Sequence, residues 1–93
     1  MKAIWNETII AETTDTVELE GNHYFPKDSL NKEFLVESKY STLCPWKGEA
    51  SYFSIKVKDE VNKDCIWYYP NPKEKAQMVK NRVAFWGGVK VID

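Results

Sequence analysis

The sequence predicts a mainly β fold: one strongly twisted antiparallel sheet or open barrel, carrying one short helix near residues 72–80 and a helical turn near 27–31. Three observations carry that prediction. Over residues 49–57 apolar and polar side chains alternate, so that Phe53, Ile55 and Val57 share one face and Tyr52, Ser54 and Lys56 the other, as the two-residue repeat of a strand demands. Cys65-Ile66-Trp67-Tyr68-Tyr69 is a short apolar run suited to a central strand, ended by Pro70, which has no N–H to give to a ladder. Turn signals recur at short intervals, whereas only Asn71-Pro72-Lys73-Glu74 reads as the start of a real helix.

In chain order, two β-rich runs over residues 3–10 flank Asn6-Glu7 and predict a hairpin. Its turn is expected to be slightly strained or of another type, because the favoured two-residue turn needs positive φ at both central positions and Glu7 lacks glycine's freedom. Residues 12–15 form a polar turn, and Val17-Glu18-Leu19-Glu20 alternates apolar and acidic as a strand with one wet face would. Gly21-Asn22 breaks that strand. His23-Tyr24-Phe25-Pro26 follows, and Pro26 with Lys27, Asp28 and Ser29 starts the helical turn. Phe34-Leu35-Val36 is a further strand, leading through Glu37-Ser38-Lys39-Tyr40 into a loop at 41–48. Lys58-Asp59-Glu60 is a polar turn before the apolar run at 65–69. The helix is expected to have Asn71 as N-cap, Pro72 at N1 and Glu74 at N3, and to end near Lys80. Its apolar stripe of Ala76 and Val79, with Met78 at one edge, is narrow, so it should lie across one opening of the sheet. Val83-Ala84-Phe85-Trp86 and Val89-Lys90-Val91-Ile92 flank Gly87-Gly88, which predicts a closing β-hairpin.

A chain of 93 residues, 43% hydrophobic and 14% aromatic, is one folded domain spanning 1–93 and not a disordered segment. Large flat side chains, including four tryptophans, fill the thin core of a small β protein economically. Thirteen basic and fourteen acidic side chains leave a net charge of −1, which argues against a nucleic-acid partner, since such partners are held by a basic surplus. The charge is uneven: acids dominate residues 1–20, whereas Lys73, Lys75, Lys80, Arg82 and Lys90 gather toward the other end. Two cysteines and one histidine do not make a structural zinc site, so no metal and no cofactor are expected. The first residues lack the apolar core of a signal peptide and no run approaches membrane-spanning length. The expectation is therefore a cytoplasmic protein, off the membrane, with both cysteines as thiols. Nothing in the sequence fixes an oligomeric state.

Ser41-Thr42-Leu43-Cys44-Pro45-Trp46-Lys47-Gly48 concentrates a thiol, a backbone lock, an indole, a cation and a hinge between two strands. Pro45 suits position i+1 of a β-turn, and Gly48 lets the backbone re-enter a strand. Lys47 near Cys44 would favour a thiolate if its ammonium turned toward the sulfur; a buried, inert thiol is the plainer alternative.

Four runs, Glu20-Gly21-Asn22-His23-Tyr24-Phe25-Pro26, Cys44-Pro45-Trp46-Lys47-Gly48 with Glu49-Ala50-Ser51-Tyr52, Trp67-Tyr68-Tyr69-Pro70 and Arg82-Val83-Ala84-Phe85-Trp86, resemble a widespread bacterial single-domain family of unknown function. The likeness spans nearly the whole chain, and the family's label alludes to nucleotidyl transfer. It implies a mainly β domain of the β-tent type and no particular activity. Residue 7 is Glu where the family pattern tends to Gly, which bears on the first turn. The residues themselves lend nucleotidyl transfer little support. There is no Gly-rich phosphate loop and no Asp-x-Asp or Asp-x-Glu pair to hold Mg²⁺, and the adjacent Asp59 and Glu60 would point to opposite faces of a strand.

The favoured functional expectation is a small-molecule binding domain with an aromatic-lined site at the Cys44–Gly48 loop. His23, Tyr24, Cys44, Trp46, Trp67 and Tyr68 would line it, with Lys47 and Arg82 supplying charge to an anionic or nucleotide-like ligand. Core packing is the competing explanation for each aromatic, most of all for Trp67 and Phe85. Two alternatives stand beside it: a thiol-dependent enzyme with Cys44 as nucleophile and His23 as base, and a protein-interaction module anchored by surface Trp and Tyr.

Overall fold

The computed structural model describes residues 1–93. Nine strands make up most of the chain, with two short 3₁₀ segments between the fourth and fifth and one between the seventh and eighth: β1 (Lys2–Trp5), β2 (Thr8–Glu12), β3 (Val17–Leu19), β4 (Asn22–Pro26), β5 (Leu35–Cys44), β6 (Gly48–Val57), β7 (Glu60–Tyr68), β8 (Arg82–Phe85) and β9 (Lys90–Ile92). The fold is mainly β, as the alternating runs require. It is built as two antiparallel sheets, six strands in the order β3-β4-β8-β7-β6-β5 and three in the order β2-β1-β9. Neither closes into a barrel.

Three tight hairpins set the register. Asn6 and Glu7 (φ 52 and 59) sit between the paired Trp5 and Thr8, Glu20 and Gly21 (φ 54 and 78) between Leu19 and Asn22, and Lys58 and Asp59 (φ 52 and 66) between Val57 and Glu60. Both central residues of each turn are left-handed, the arrangement whose twist matches that of paired strands. The price is left-handed backbone at non-glycine residues, Glu7 among them, as the sequence led one to expect.

Strand alternation sorts the side chains of the six-stranded sheet into two layers. On one face Phe25, Val83, Phe85, Ile55, Val57, Cys65 and Ile66 pack against Ala3, Ile10 and Ala11 of the small sheet. Phe25 and Phe85 meet edge to face there, with ring centres 5.1 Å apart. On the other face Tyr24, Ala50, Tyr69 and Ala84 are covered by Ala76 and Val79. Cys65 and Ile66 are consecutive yet share the first core because Asp64 (φ 55) bulges β7, and the β6–β7 pairing shifts register between Phe53 and Ile55. The Asp64 N–H, displaced from the ladder, donates to Ser54 Oγ at 2.9 Å.

Several expectations are corrected. The segment expected as a helix over 72–80 is 3₁₀, Glu74–Val79, interrupted at Ala76 (φ −117, ψ 18) and preceded by Lys73, with no side-chain cap from Asn71. Two buried residues three apart suit a 3₁₀ turn, whose side chains align at that spacing, and six residues are too few to sustain an α-helix. The helical turn expected near 27–31 is present as the 3₁₀ turn Lys27–Ser29, and a second, unexpected one follows at Lys32–Phe34. The 41–48 loop shrinks to Pro45, Trp46 and Lys47, because residues 41–44 continue β5 and Cys44 pairs with Gly48. The closing hairpin does not form. Strand β8 is paired on both sides, with β4 and β7, so no edge is left for β9. Gly87 and Gly88 (φ 67 and 90) instead turn the chain across to β1 of the small sheet, with the Val89 N–H donating to the Trp86 carbonyl at 3.3 Å.

Candidate functional site

The face of the large sheet under Glu74–Val79 is only partly covered. Beside the buried Tyr24, Ala50, Tyr69, Ala76, Val79 and Ala84, the half-buried Leu19, Cys44, Tyr52 and Trp67 continue the apolar surface outward. There a cleft of about 290 Å³ opens between Lys47, Tyr52, Trp67, Tyr69 and Trp86.

The three-residue loop between β5 and β6 sets one wall. Gly48 takes φ +113, and a Cβ there would stand 3.2 Å from the Asn71 carbonyl oxygen, so the loop and the 71–73 segment are in close backbone contact. Lys73 holds the two together: its N–H donates to the Lys47 carbonyl at 2.9 Å and its ammonium to the Pro45 carbonyl at 2.6 Å. Pinned in this way, Lys47 turns its side chain inward, leaving it 12% exposed. The ammonium pairs with the Glu20 carboxylate from the β3–β4 turn and lies over the rings of Trp46 and Tyr69, 5.3 and 5.6 Å from their centres. Burial works against the charge on Lys47, but the Glu20 bond, with smaller help from Tyr69, Tyr24 and Cys44, prevails and holds its pKa above the usual lysine value.

The aromatic wall is held from behind. The indole N–H of Trp67 donates to the Tyr24 hydroxyl at 3.2 Å, and the two rings are perpendicular. Burial raises the Tyr24 phenol above the ordinary tyrosine range despite the Trp67 bond and the nearby Lys47 charge, and it raises Tyr69 likewise against the pull of Lys47. Tyr52 shares a hydrogen bond with Thr42 Oγ1 at 3.0 Å, and its ring meets Tyr40 at 4.8 Å. Trp86 is half exposed, its indole N–H donating to the Asp64 carbonyl at 2.6 Å.

Of the expected site residues, the structure gathers Tyr24, Cys44, Trp46, Lys47 and Trp67 in one neighbourhood and separates His23, Tyr68 and Arg82 from it. His23 adjoins Tyr24 on β4 and so points to the other side of the sheet, where its Nε2 lies 3.6 Å from Glu18 Oε2. Cys44 packs on the Tyr24 side, so the strands hold thiol and imidazole on opposite faces. Tyr68 likewise faces away from Trp67 and stacks on Phe53, ring centres 5.0 Å apart. The Arg82 guanidinium is committed to both carboxylate oxygens of Asp15 at 3.1 and 3.2 Å and to the carbonyls of Asp15 and Tyr24. It ties β8 to the turn after β2.

Sequence reasoning placed Glu20, Tyr52, Tyr69 and Trp86 in motifs and assigned none of them to the site. Tyr69 was within reach: two positions after Trp67, it shares that residue's face. Glu20 comes from the β3–β4 turn and Trp86 from the turn after β8, far apart in sequence, and no local pattern joins them to Lys47. No three His, Cys, Asp or Glu side chains gather in a way that would hold a metal ion. The cleft offers a ring-binding surface and one ammonium, which is paired with the Glu20 carboxylate.

No curated protein matches the chain. A family model described as a domain of unknown function (DUF427), whose label alludes to nucleotidyl transfer, matches residues 1–92, and the chain belongs to that family.

Proposed function

We propose that the domain is a binding module for a small planar ligand carrying an anionic group, nucleotide-like in its chemistry, held in the cleft of Lys47, Tyr52, Trp67, Tyr69 and Trp86. The four aromatic side chains that share one cleft with the half-buried Lys47 carry this reading. A planar ring stacked on such a wall is worth about 1–3 kcal/mol per contact with an aromatic side chain. At about 290 Å³ the cleft takes a ring system and leaves the rest of a larger ligand in solvent. The anionic group would replace Glu20 on Lys47, trading one charge-assisted hydrogen bond for another. The site belongs in a reducing compartment such as the cytoplasm, a reading supported by two cysteines that are both free.

The placement of His23 favours binding over thiol catalysis, because a nucleophile needs its base within hydrogen-bond reach. An interaction module draws support from the exposure of Leu43, at 76%, and of Tyr40 and Trp86. Titration with adenosine monophosphate and with adenosine, followed by tryptophan indole NMR signals, decides among these. Saturable shifts at Trp67 and Trp86, about tenfold weaker for the nucleoside, are expected. Failure of both compounds to shift either indole would sink the proposal. Retention of binding by Cys44→Ala is expected of a binding site, and its loss would favour the thiol reading.

A further inference from the structure

The largest cavity of the molecule, about 520 Å³, shares no residue with the aromatic cleft. It lies where the end of β4 and the Lys27–Ser29 turn meet the start of β8, and Pro26 is the one lining residue whose side chain has no polar group. Lys27, Lys32, Lys80 and Arg82 surround it, with Asp28 the one acid and Asn81 between two of the cations. Arg82 is neutralised by Asp15, but Lys27, Lys32 and Lys80 have no carboxylate within ion-pair distance, Asp28 included. In a chain of net charge −1, three lysines without a carboxylate partner along one cavity are a local concentration of positive charge.

The cavity has a defined frame. The Lys27 N–H donates to the Asn81 carbonyl at 2.8 Å, joining the two segments that carry the cations. Ser29 Oγ donates to the Pro26 carbonyl at 2.6 Å and closes the turn beneath Lys27. The Lys27 ammonium lies over Tyr68 and Phe53, 4.8 and 5.7 Å from their ring centres, so its position is held by a stacked aromatic pair without loss of charge. Asn81 takes φ 62, and Lys80 and Arg82 flank it. These features place the charges on a built rim.

We propose that this cavity is a second binding site, for a small soluble ligand bearing two or more phosphate groups. Three ammonium groups against one carboxylate are balanced by a multiply charged anion, and a single carboxylate or an apolar ring would find no such complement there. The ligand is recognised by its charge, so its binding weakens steeply with ionic strength.

Inorganic pyrophosphate is the probe. Backbone amide shifts of the full chain are followed at constant ionic strength, with sodium chloride as the control. Saturable shifts confined to residues 27–32 and 80–82 are expected. Lys32→Gln and Lys80→Gln should each weaken binding about five- to tenfold, while Lys80→Arg retains it within about twofold. Both lysines are exposed, so the fold is unaffected. Shifts that mirror the chloride control, or that spread over all surface lysines, would overturn the proposal. So would cosedimentation with phosphatidylglycerol vesicles in the absence of pyrophosphate shifts, which would make the patch a membrane contact. Tryptophan indole signals report the aromatic cleft separately, so failure of one site is not failure of the other.

Discussion

Trp67 and Tyr24 are joined twice, by an N–H···O bond of 3.2 Å and by an edge-to-face ring contact at 6.2 Å. Trp67 faces the cleft, whereas Tyr24 is fully buried against Ala76, Val79 and Ala84. The pair therefore ties the wall of the candidate site to the core behind it. Tyr24→Phe keeps the ring contact and removes the acceptor, leaving a half-buried indole N–H unpaired. Urea denaturation should show a loss of about 1–2 kcal/mol, the cost of an unsatisfied donor of this kind, with a changed Trp67 emission in the folded state. A variant as stable as the parent, with unaltered emission, would mean that the bond contributes nothing.

Gly48→Ala tests the other wall. Positive φ disfavours any side chain at this residue, and the atom that a Cβ would approach, at 3.2 Å, is the backbone oxygen of Asn71, which does not swing aside as a side chain could. A loss of about 1–3 kcal/mol in thermal or chemical denaturation is expected, the scale of a strained backbone position. Amide shifts should centre on residues 45–48 and on Lys73, whose N–H holds the Lys47 carbonyl. Gly21→Ala makes the comparison: its φ of +78 is closer to the left-handed region open to other residues and nothing lies within 4 Å of a Cβ there, so a smaller loss is expected than at Gly48, where φ is +113 and the loop is packed.

Much of this architecture was legible locally. The alternation in residues 49–57 and the turn at Asn6-Glu7 follow from pleating and from hairpin geometry, which act over a few residues. The Gly87-Gly88 signal was real as a turn and wrong as a hairpin, because whether β8 had a free edge depended on β4 and β7, far away in sequence. The site divided in the same way. Lys47 and Trp46 were visible as loop residues, and neighbours such as Trp67 and Tyr68 or His23 and Tyr24 looked interchangeable until strand parity sent one of each to the opposite face. Glu20 was invisible as a partner of Lys47, since ion pairs between turns leave no mark in spacing.

Alkali should destabilise the fold. Burial pushes the Cys65 thiol up from 9.0 to about 11, and the Tyr24 and Tyr69 phenols and the Lys47 ammonium also hold their protons more tightly than usual. In each case the folded chain binds the proton more strongly than the unfolded one. The associated stability is complete below the unfolded pKa and is lost as pH rises through the folded value. For Cys65 alone the loss between pH 9 and about 11 is of the order of 2–3 kcal/mol. Urea midpoints measured from pH 8 to 11 should therefore fall, and Cys65→Ala should flatten the curve. A parent curve flat to pH 11 would show that these groups are not held as the structure places them.

Glu20→Gln and Lys47→Met should move ligand affinity in opposite directions. The Glu20 carboxylate occupies the ammonium that the proposed anionic group requires, so every binding event must displace it. Gln is nearly isosteric and preserves the left-handed turn position as well as Glu does, but it competes with less than a full charge. Affinity for adenosine monophosphate should rise about three- to tenfold in Glu20→Gln, with adenosine itself unaffected, because the nucleoside has no group to exchange with the carboxylate. Lys47→Met retains the apolar stem over Tyr69 and Trp46, removes the charge and leaves the Glu20 carboxylate unpaired, so the nucleotide should fall to the affinity of the nucleoside or below it. Calorimetric titration of the parent and both variants with each of the two ligands, six pairs in all, measures both effects. Equal shifts for nucleotide and nucleoside would place the anion away from Lys47 and leave the aromatic wall as the whole of the site.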